Sequence, residues 1–240
     1  MKDERDIKTA DGGISWENDG ELFGIIKKYL YTAVVGDIMD QMGYYHQFLP
    51  PQIRPLGEDT VMAGRAMTVQ ETDITPGETY EDPILNKPFG LMLEALDDLK
   101  PGEIYLCSGA SPDYALWGEL MCTRARKLGA AGAVVNGYIR DTKGIRALNF
   151  PVFSCGQYAQ DQAPRGKVTA YRVPLQIAGV TVEPGDILVG DCDGVVAIPQ
   201  KIEEEVIRRA YEKATGENMV KGEIEKGMSC KEAFARYKIM

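Results

Sequence analysis

Three charged residues at the ends of predicted elements could carry out chemistry together: Glu119, Arg140 and Asp141. Glu119 follows a loop of mostly small residues, 107–118, and begins a predicted helix. Such a junction presents backbone N–H groups and the positive end of the helix dipole, which together hold a carboxylate or a phosphate. Arg140 and Asp141 follow the next apolar strand, at the edge where open α/β sheets keep their ligands. The pattern predicts a cleft that binds an anion.

The same residues also have ordinary structural explanations. Asp141 could cap the helix that follows it, and Arg140 could pair with a surface acid. Glu119 could be a common first-turn acid that favours the helix dipole. Spacing alone leaves both interpretations open.

The elements that must position these residues alternate along the chain. Strands are predicted at 61–71, 104–107, 133–136 and 151–154, and helices at 91–99, 118–128 and 142–148. This alternation favours parallel strands covered by helices, an α/β fold. Further strands are predicted at 168–173, 176–182, 187–189 and 195–198. We expect these later strands to form a β-rich layer beside the α/β part.

Both ends of the chain are predicted to be helical. One helix covers 21–30, and a second begins near Thr32, which can cap it, and ends at Gly43. Beyond residue 200 the chain is charged and helical, with three acids at 203–205 in a first turn. No low-complexity linker divides the chain, so we expect one domain, 1–240, with an N-terminal helical segment at 1–43 and a C-terminal helical extension at 200–240.

Composition excludes several classes of function. Lys and Arg number 27 against 36 Asp and Glu, a net charge of −9, which disfavours nucleic acid or an anionic membrane as partner. No apolar run is long enough to span a membrane, and 1–13 does not resemble a secretion signal, so a cytoplasmic protein is expected. The five cysteines form no Cys-x-x-Cys pair and are expected to be reduced, buried small hydrophobes. A single histidine, His46, argues against catalytic triads and histidine-rich metal sites.

Several segments resemble the RraA-like family, which includes 4-hydroxy-4-methyl-2-oxoglutarate aldolases and regulators of ribonuclease E activity. The segment 117–141 carries the strongest resemblance, and 32–40, 53–55, 63–69 and 180–199 support it. The aldolase branch has an acid, twenty intervening residues and then Arg-Asp, and this chain has Glu119, twenty intervening residues and then Arg140 and Asp141. It departs from the best-known aldolases in having glutamate, where they have aspartate.

The resemblance implies a layered αββα sandwich, related to the swivelling phosphohistidine domains, assembled as a homotrimer or a dimer of trimers. It implies that Asp141 binds Mg²⁺ or Mn²⁺ directly and that Glu119 holds metal-bound waters. A 2-oxo acid would place its carboxylate on the N–H groups of Gly118, Glu119, Leu120 and Met121, while Arg140 stabilises a pyruvate enolate. The implied activity is a class II type aldolase with oxaloacetate decarboxylation as a secondary reaction. The alternative is a non-enzymatic regulator that binds a ribonuclease or another protein.

Overall fold

The computed structural model describes residues 14–239. The strands are β1 (Arg54–Pro55), β2 (Met62–Asp73), β3 (Glu103–Ser108), β4 (Ala115–Trp117), β5 (Gly132–Val135), β6 (Tyr138–Ile139), β7 (Val152–Ser154), β8 (Gly166–Tyr171), β9 (Leu175–Ile177), β10 (Val180–Val182), β11 (Ile187–Asp191) and β12 (Gly194–Ile198). The helices are α1 (Asp19–Tyr29), α2 (Thr32–Gln41), α3 (Met92–Asp97), α4 (Glu119–Lys127), α5 (Thr142–Leu148), α6 (Glu203–Glu225) and α7 (Cys230–Tyr237), with a 3-10 turn at Gln200–Ile202.

One mixed sheet organises these elements, in the order β1-β7-β5-β3-β2-β11-β12, with β8 also paired to β2. The strands β2, β3, β5 and β7 are parallel, whereas β11, β12, β8 and β1 join antiparallel. The chain just before β1 pairs with β12, where Leu49 N donates to Val195 O at 2.9 Å. The sheet therefore curves until its two edges nearly meet.

The curved sheet separates an inner core from two outer ones. Along β3, Ile104 and Leu106 face inward, while Tyr105 and Cys107 face outward, because successive side chains of a strand alternate between faces. The hairpin β9–β10 covers the inner core. Outside, α3, α4 and α5 cover one half of the sheet, and α1, α2 and α6 cover the other. The predicted α/β class, with helices layered over strands, is confirmed.

Several details of the prediction are wrong. The strand expected at 176–182 is the hairpin β9–β10, whose turn places Ala178 and Gly179 at φ 48° and 91°. Such a two-residue turn matches the twist of paired strands, but Ala-Gly is a weak sequence signal for it. The later strands β8, β11 and β12 do not form a separate layer, because they extend the main sheet.

Two further local expectations also fail. Thr32 does not cap α2, because its hydroxyl donates instead to Asp191 Oδ1 at 2.8 Å. Of the five cysteines only Cys107 and Cys122 are buried, while Cys192 and Cys230 are exposed at the surface.

The helices predicted near both ends of the chain are present. Residues 1–13 of the predicted N-terminal segment lie outside the described residues. Gly43 follows α2 at φ 84°, the left-handed conformation expected at a helix end. Across 14–239, none of the helices combines the length and apolar character needed to cross a bilayer.

Candidate functional site

A small parallel sheet, β4–β6, brings the predicted site residues together. Ala115 pairs with Tyr138, and Trp117 pairs with Ile139. Just beyond this pairing, Arg140 N donates to Trp117 O at 2.9 Å. Arg140 and Asp141 therefore leave β6 beside the point where α4 begins. The convergence was predicted, but the sheet that produces it was not, since strands of two and three residues give no periodic pattern.

Asp141 faces the first turn of α4. Its Oδ2 accepts a hydrogen bond from Glu119 N at 3.3 Å. A Cβ at position 118 would lie 2.8 Å from that oxygen, so Gly118 leaves the space that the carboxylate occupies. Asp141 precedes α5 with φ 56°, yet its side chain forms no capping bond to that helix. The left-handed backbone conformation of Asp141 is strained for a residue other than glycine. It directs the carboxylate towards α4 and away from α5.

Glu119 lies on the other side of this junction. Its carboxylate packs over Gly144 in the first turn of α5, where a Cβ would collide with it. Each carboxylate therefore contacts the start of the other helix. Asp141, which precedes α5, lies at the start of α4, and Glu119, in α4, lies at the start of α5. Each position suits a carboxylate because helix N termini are electropositive.

Arg140 is held by acids on both sides. Its Nη1 lies 3.2 Å from Asp161 Oδ1, and its Nε lies 3.8 Å from Asp141 Oδ2. The side chain is 38% exposed, so the guanidinium can meet a ligand. Asp161 was missed at the sequence level, because it lies in an irregular polar segment. A bridge to Ala115 and a hydrogen bond from Arg165 to its carbonyl hold it in place.

Arg140, Asp141 and Asp161 line a cleft of about 370 Å³, whereas Glu119 is not among its lining residues. Its walls are formed by Phe89, Met92, Leu93, Leu96, Ala115, Leu116, Trp117, Gly118, Leu120, Met121, Arg140, Asp141, Asp161 and Gln162. Leu120 is 84% exposed on the rim, whereas Trp117 is 1% exposed and forms part of the floor. A second, smaller cleft, of about 260 Å³, opens on the other side of Arg140 and Asp141.

Behind the cleft lies a buried acid that the sequence did not single out. Glu71 is 1% exposed, and its Oε2 accepts a hydrogen bond of 2.7 Å from Gln162 Nε2. Burial raises the pKa of Glu71 to about 8, although the bond from Gln162 opposes this rise. Glu71 is therefore mostly a neutral carboxylic acid at pH 7. Its neighbours Tyr105 and Cys107 are also buried, and burial raises the pKa of each well above the ordinary value.

A divalent cation fits Asp141 better than any other predicted residue. Its side chain is 46% exposed, and within 14–239 no hydrogen bond is made to its Oδ1. A free carboxylate oxygen beside open space suits a hard ion that keeps most of its waters, as Mg²⁺ does. In the same part of the chain, one group of three potential ligands clusters elsewhere, on the β11–β12 turn: Asp191, Cys192 and Asp193. There the Asp191 carboxylate already accepts bonds from Thr32 and from Asp193 N.

Comparison with known proteins identifies the family. The RraA-like profile, described as Aldolase/RraA, matches residues 32–197. The chain belongs to the RraA-like family. The match spans the sheet, both helix starts of the candidate site and the pair Arg140-Asp141, and it confirms the resemblance found in the sequence.

Individual RraA-like relatives carry two kinds of names. The chain is 32% identical over 183 residues to a protein of Halalkalibacterium halodurans provisionally named 4-hydroxy-4-methyl-2-oxoglutarate aldolase, covering 76% of this chain and 79% of the relative. It is 29% identical over 153 residues to the 4-hydroxy-4-methyl-2-oxoglutarate aldolase of Thermus thermophilus, covering 63% and 84%.

A related solved structure is named after ribonuclease inhibition instead of aldolase activity. RraAS2 of Streptomyces coelicolor, described as an unusual member of the RNase ES inhibitor RraA protein family, aligns with a TM-score of 0.72 at 25% identity, over 86% of this chain and 99% of that one. The family therefore joins proteins named as enzymes and proteins named as inhibitors on one fold.

Proposed function

We propose that this RraA-like protein is a divalent-metal-dependent aldolase that cleaves a 4-hydroxy-2-oxo acid, such as 4-hydroxy-4-methyl-2-oxoglutarate, to pyruvate and a carbonyl compound. Oxaloacetate decarboxylation is the expected secondary activity, because loss of CO₂ generates the same pyruvate enolate. The observation that carries the proposal is the placement of Arg140 and Asp141 side by side in a cleft at the start of α4. A regulator that only binds a protein has no need of that arrangement.

The start of α4 would hold the substrate carboxylate. The first backbone bond within the helix is donated by Cys122 N to Gly118 O, so the N–H groups of Leu120 and Met121 remain available to a ligand. Asp141 already accepts from Glu119 N. The 2-oxo acid head group would therefore be placed between these N–H groups and Asp141, with Arg140 beside it.

Asp141 would hold the cation, Mg²⁺ or Mn²⁺, with Glu119 acting on waters around it. When bound, the ion supplies Lewis-acid polarisation of the 2-oxo group. Mg²⁺ commonly binds proteins through only one or two carboxylates, which agrees with a site that offers few side-chain ligands.

Arg140 would stabilise the negative charge that develops on the enolate oxygen when the carbon–carbon bond breaks. Fixed charges aimed at the position where charge develops lower the barrier, because they need no reorganisation during the reaction. Asp161 orients the guanidinium before substrate arrives. A guanidinium group has hydrogen-bond donors only, so Arg140 does not act as the base. Cys122, the nearby thiol of α4, is no nucleophile at neutral pH, since burial raises its pKa to about 11.

We also propose that the protein assembles as a homotrimer or a dimer of trimers, with no nucleic acid or membrane partner. The apolar side chains Phe89, Leu93 and Leu120 are exposed around the rim of the cleft, 38%, 53% and 84%. Exposed apolar residues grouped at one place are typical of a contact surface. Light scattering should report a mass that is a multiple of three chains, and a stable active monomer would contradict this part of the proposal.

A second candidate function is supported by the likeness to RraAS2: a non-enzymatic regulator that binds a ribonuclease or another protein. The two functions differ in their dependence on single residues of the cleft. Purified protein should release pyruvate from 4-hydroxy-4-methyl-2-oxoglutarate, detected with lactate dehydrogenase and NADH, and Asp141→Asn should abolish the release without altering the melting temperature. Inhibition of a ribonuclease that survives Asp141→Asn, with no pyruvate from either protein, would favour the regulator.

A further inference from the structure

The second, smaller cleft beside Arg140 and Asp141 has polar walls that the reaction proposed above leaves unused. We propose that this cleft binds the far carboxylate of a dicarboxylate 2-oxo acid through neutral hydrogen-bond donors, chiefly those of Gln157 and Tyr158. The inference rests on the proposed function, since it assumes that the 2-oxo acid head group binds at the start of α4.

Arg140 and Asp141 line both clefts and separate one from the other. A substrate held at this pair can therefore extend in two directions. Phe89, Leu93 and Leu120, proposed above as a contact between copies of the chain, line the larger cleft but not the second one. An interface formed by those three side chains would cover the larger cleft, which directs the far end of the substrate to the second.

Three neutral donors of the second cleft are free to meet a ligand. Within residues 14–239, the side chains of Thr142, Gln157 and Tyr158 form no hydrogen bond with another protein group. Each can donate to a carboxylate without changing its own protonation state. Arg140 adds a positive charge at the edge of the cleft. Asp141 is the one acid among the residues that line it, and it is also the proposed ligand of the cation, which would offset its charge.

Strand β6 holds these donors in place. Ile139 forms a parallel bridge with Gln157, and Tyr158 N donates to Ile139 O at 2.9 Å. The ring of Tyr158 packs edge-on against Tyr138, with 5.8 Å between the ring centroids. Because β6 leads directly into Arg140, the donors and the guanidinium share one support. Donors that are already ordered bind a ligand more tightly, since less side-chain freedom is lost on binding.

A carboxylate suits these donors better than an alkyl group does. Hydrogen bonds to a charged acceptor contribute more to binding than bonds between neutral groups. An alkyl group in the same place would displace water from the donors and leave them unpaired, which lowers affinity. The proposed substrate 4-hydroxy-4-methyl-2-oxoglutarate and the secondary substrate oxaloacetate both carry a carboxylate beyond the 2-oxo acid head group. The second cleft would receive that carboxylate in both cases.

The first test compares two substrates that differ only at the far end. In 4-hydroxy-4-methyl-2-oxopentanoate a methyl group replaces the far carboxylate of 4-hydroxy-4-methyl-2-oxoglutarate. Cleavage of the dicarboxylate yields pyruvate from both halves, whereas the analogue yields pyruvate and acetone, so rates are expressed per bond cleaved. With Mg²⁺ present, kcat/KM of the full chain should be at least about tenfold higher for the dicarboxylate. Equal values, or a higher value for the analogue, would overturn the inference.

Tyr158→Phe tests whether the second cleft causes this preference. The variant removes one hydroxyl donor and keeps the ring that packs against Tyr138. It should lower kcat/KM about tenfold for the dicarboxylate and leave the value for the analogue unchanged. Gln157→Leu should act in the same direction. Tyr138→Phe is the matched control and should change neither value, because Tyr138 belongs to the same ring pair but does not line the cleft. A loss in Tyr158→Phe that is equal for both substrates, or no loss at all, would contradict the inference.

Binding measurements separate this inference from the proposed function. Neither 2-oxoglutarate nor 2-oxopentanoate carries the 4-hydroxyl that cleavage requires, and they differ only in the far carboxylate. In titration calorimetry with Mg²⁺, Tyr158→Phe should weaken the binding of 2-oxoglutarate alone. That result, in a protein that cleaves no 4-hydroxy-2-oxo acid, contradicts the aldolase and supports the carboxylate site. Cleavage of both substrates with equal kcat/KM contradicts only the carboxylate site, and a protein that binds neither acid overturns it as well.

Discussion

Replacing Glu71 by glutamine should change how the stability of the protein depends on pH. Below about pH 4.5 the carboxyl is protonated in both the folded and the unfolded state. Above that value the unfolded chain loses the proton, whereas the folded state keeps it until its pKa of about 8. The folded state then binds more protons than the unfolded state, so the free energy of unfolding falls as pH rises from about 4.5 to 8.

The size of the effect follows from the two pKa values. With 4.5 in the unfolded and about 8 in the folded state, the contribution of Glu71 to the free energy of unfolding should fall by about 3–4 kcal/mol between pH 5 and pH 8. Glutamine has the same shape, can still accept the bond from Gln162 and does not titrate. Glu71→Gln should therefore gain about that much relative to wild type over the same interval.

Urea unfolding at pH 5, 6, 7 and 8, at one fixed protein concentration, measures this difference. Glu81→Gln is the matched control, because Glu81 is exposed and its loss should leave the pH profile of wild type unchanged. If wild type and Glu71→Gln show parallel profiles, the carboxyl of Glu71 is not held in its neutral form and the reasoning is refuted.

Three further predictions concern the candidate site. Arg140→Lys should lose most of kcat despite keeping the charge, because a lysine lacks the planar guanidinium that can contact enolate and carboxylate together. A rate near that of wild type would show that the role of Arg140 is only structural. If Glu119 acts through metal-bound waters, Glu119→Asp should keep substantial activity while Glu119→Gln loses about 10–100-fold in metal affinity, and equal, severe losses in both would instead indicate direct ligation. Gly144→Ala should displace the Glu119 carboxylate and weaken metal binding as Glu119→Gln does. Unchanged metal titrations would show that Glu119 takes no part in metal binding.

Local patterns predicted the elements around the site well, and pairings between distant segments less well. The helix expected at 142–148 is α5 with those bounds, since Asp141 before it and apolar spacing within it are local signals. The meeting of Glu119 and Asp141 followed from the antiparallel course of helix and strand. The contact of each carboxylate with the start of the other helix did not follow from the sequence, because it depends on the space left at Gly118 and Gly144.

Other features needed the tertiary structure. Glu71 looks like an ordinary residue near the end of an alternating strand, and only the packing of β3 and Gln162 around it makes it a buried neutral acid. Asp161 reaches Arg140 from a segment with no periodicity. When two charged residues are brought together by irregular segments, their spacing in the sequence does not indicate that they are in contact.

The dependence of pyruvate release on a divalent ion tests the central claim most directly. Protein treated with excess chelator should release no pyruvate from a 4-hydroxy-2-oxo acid, and Mg²⁺ or Mn²⁺ should restore the rate. Borohydride should trap no substrate on the protein, because an enolate stabilised by Arg140 and a cation at Asp141 requires no lysine Schiff base. Full activity in chelator, or pyruvate bound covalently to a lysine after reduction, would contradict the account.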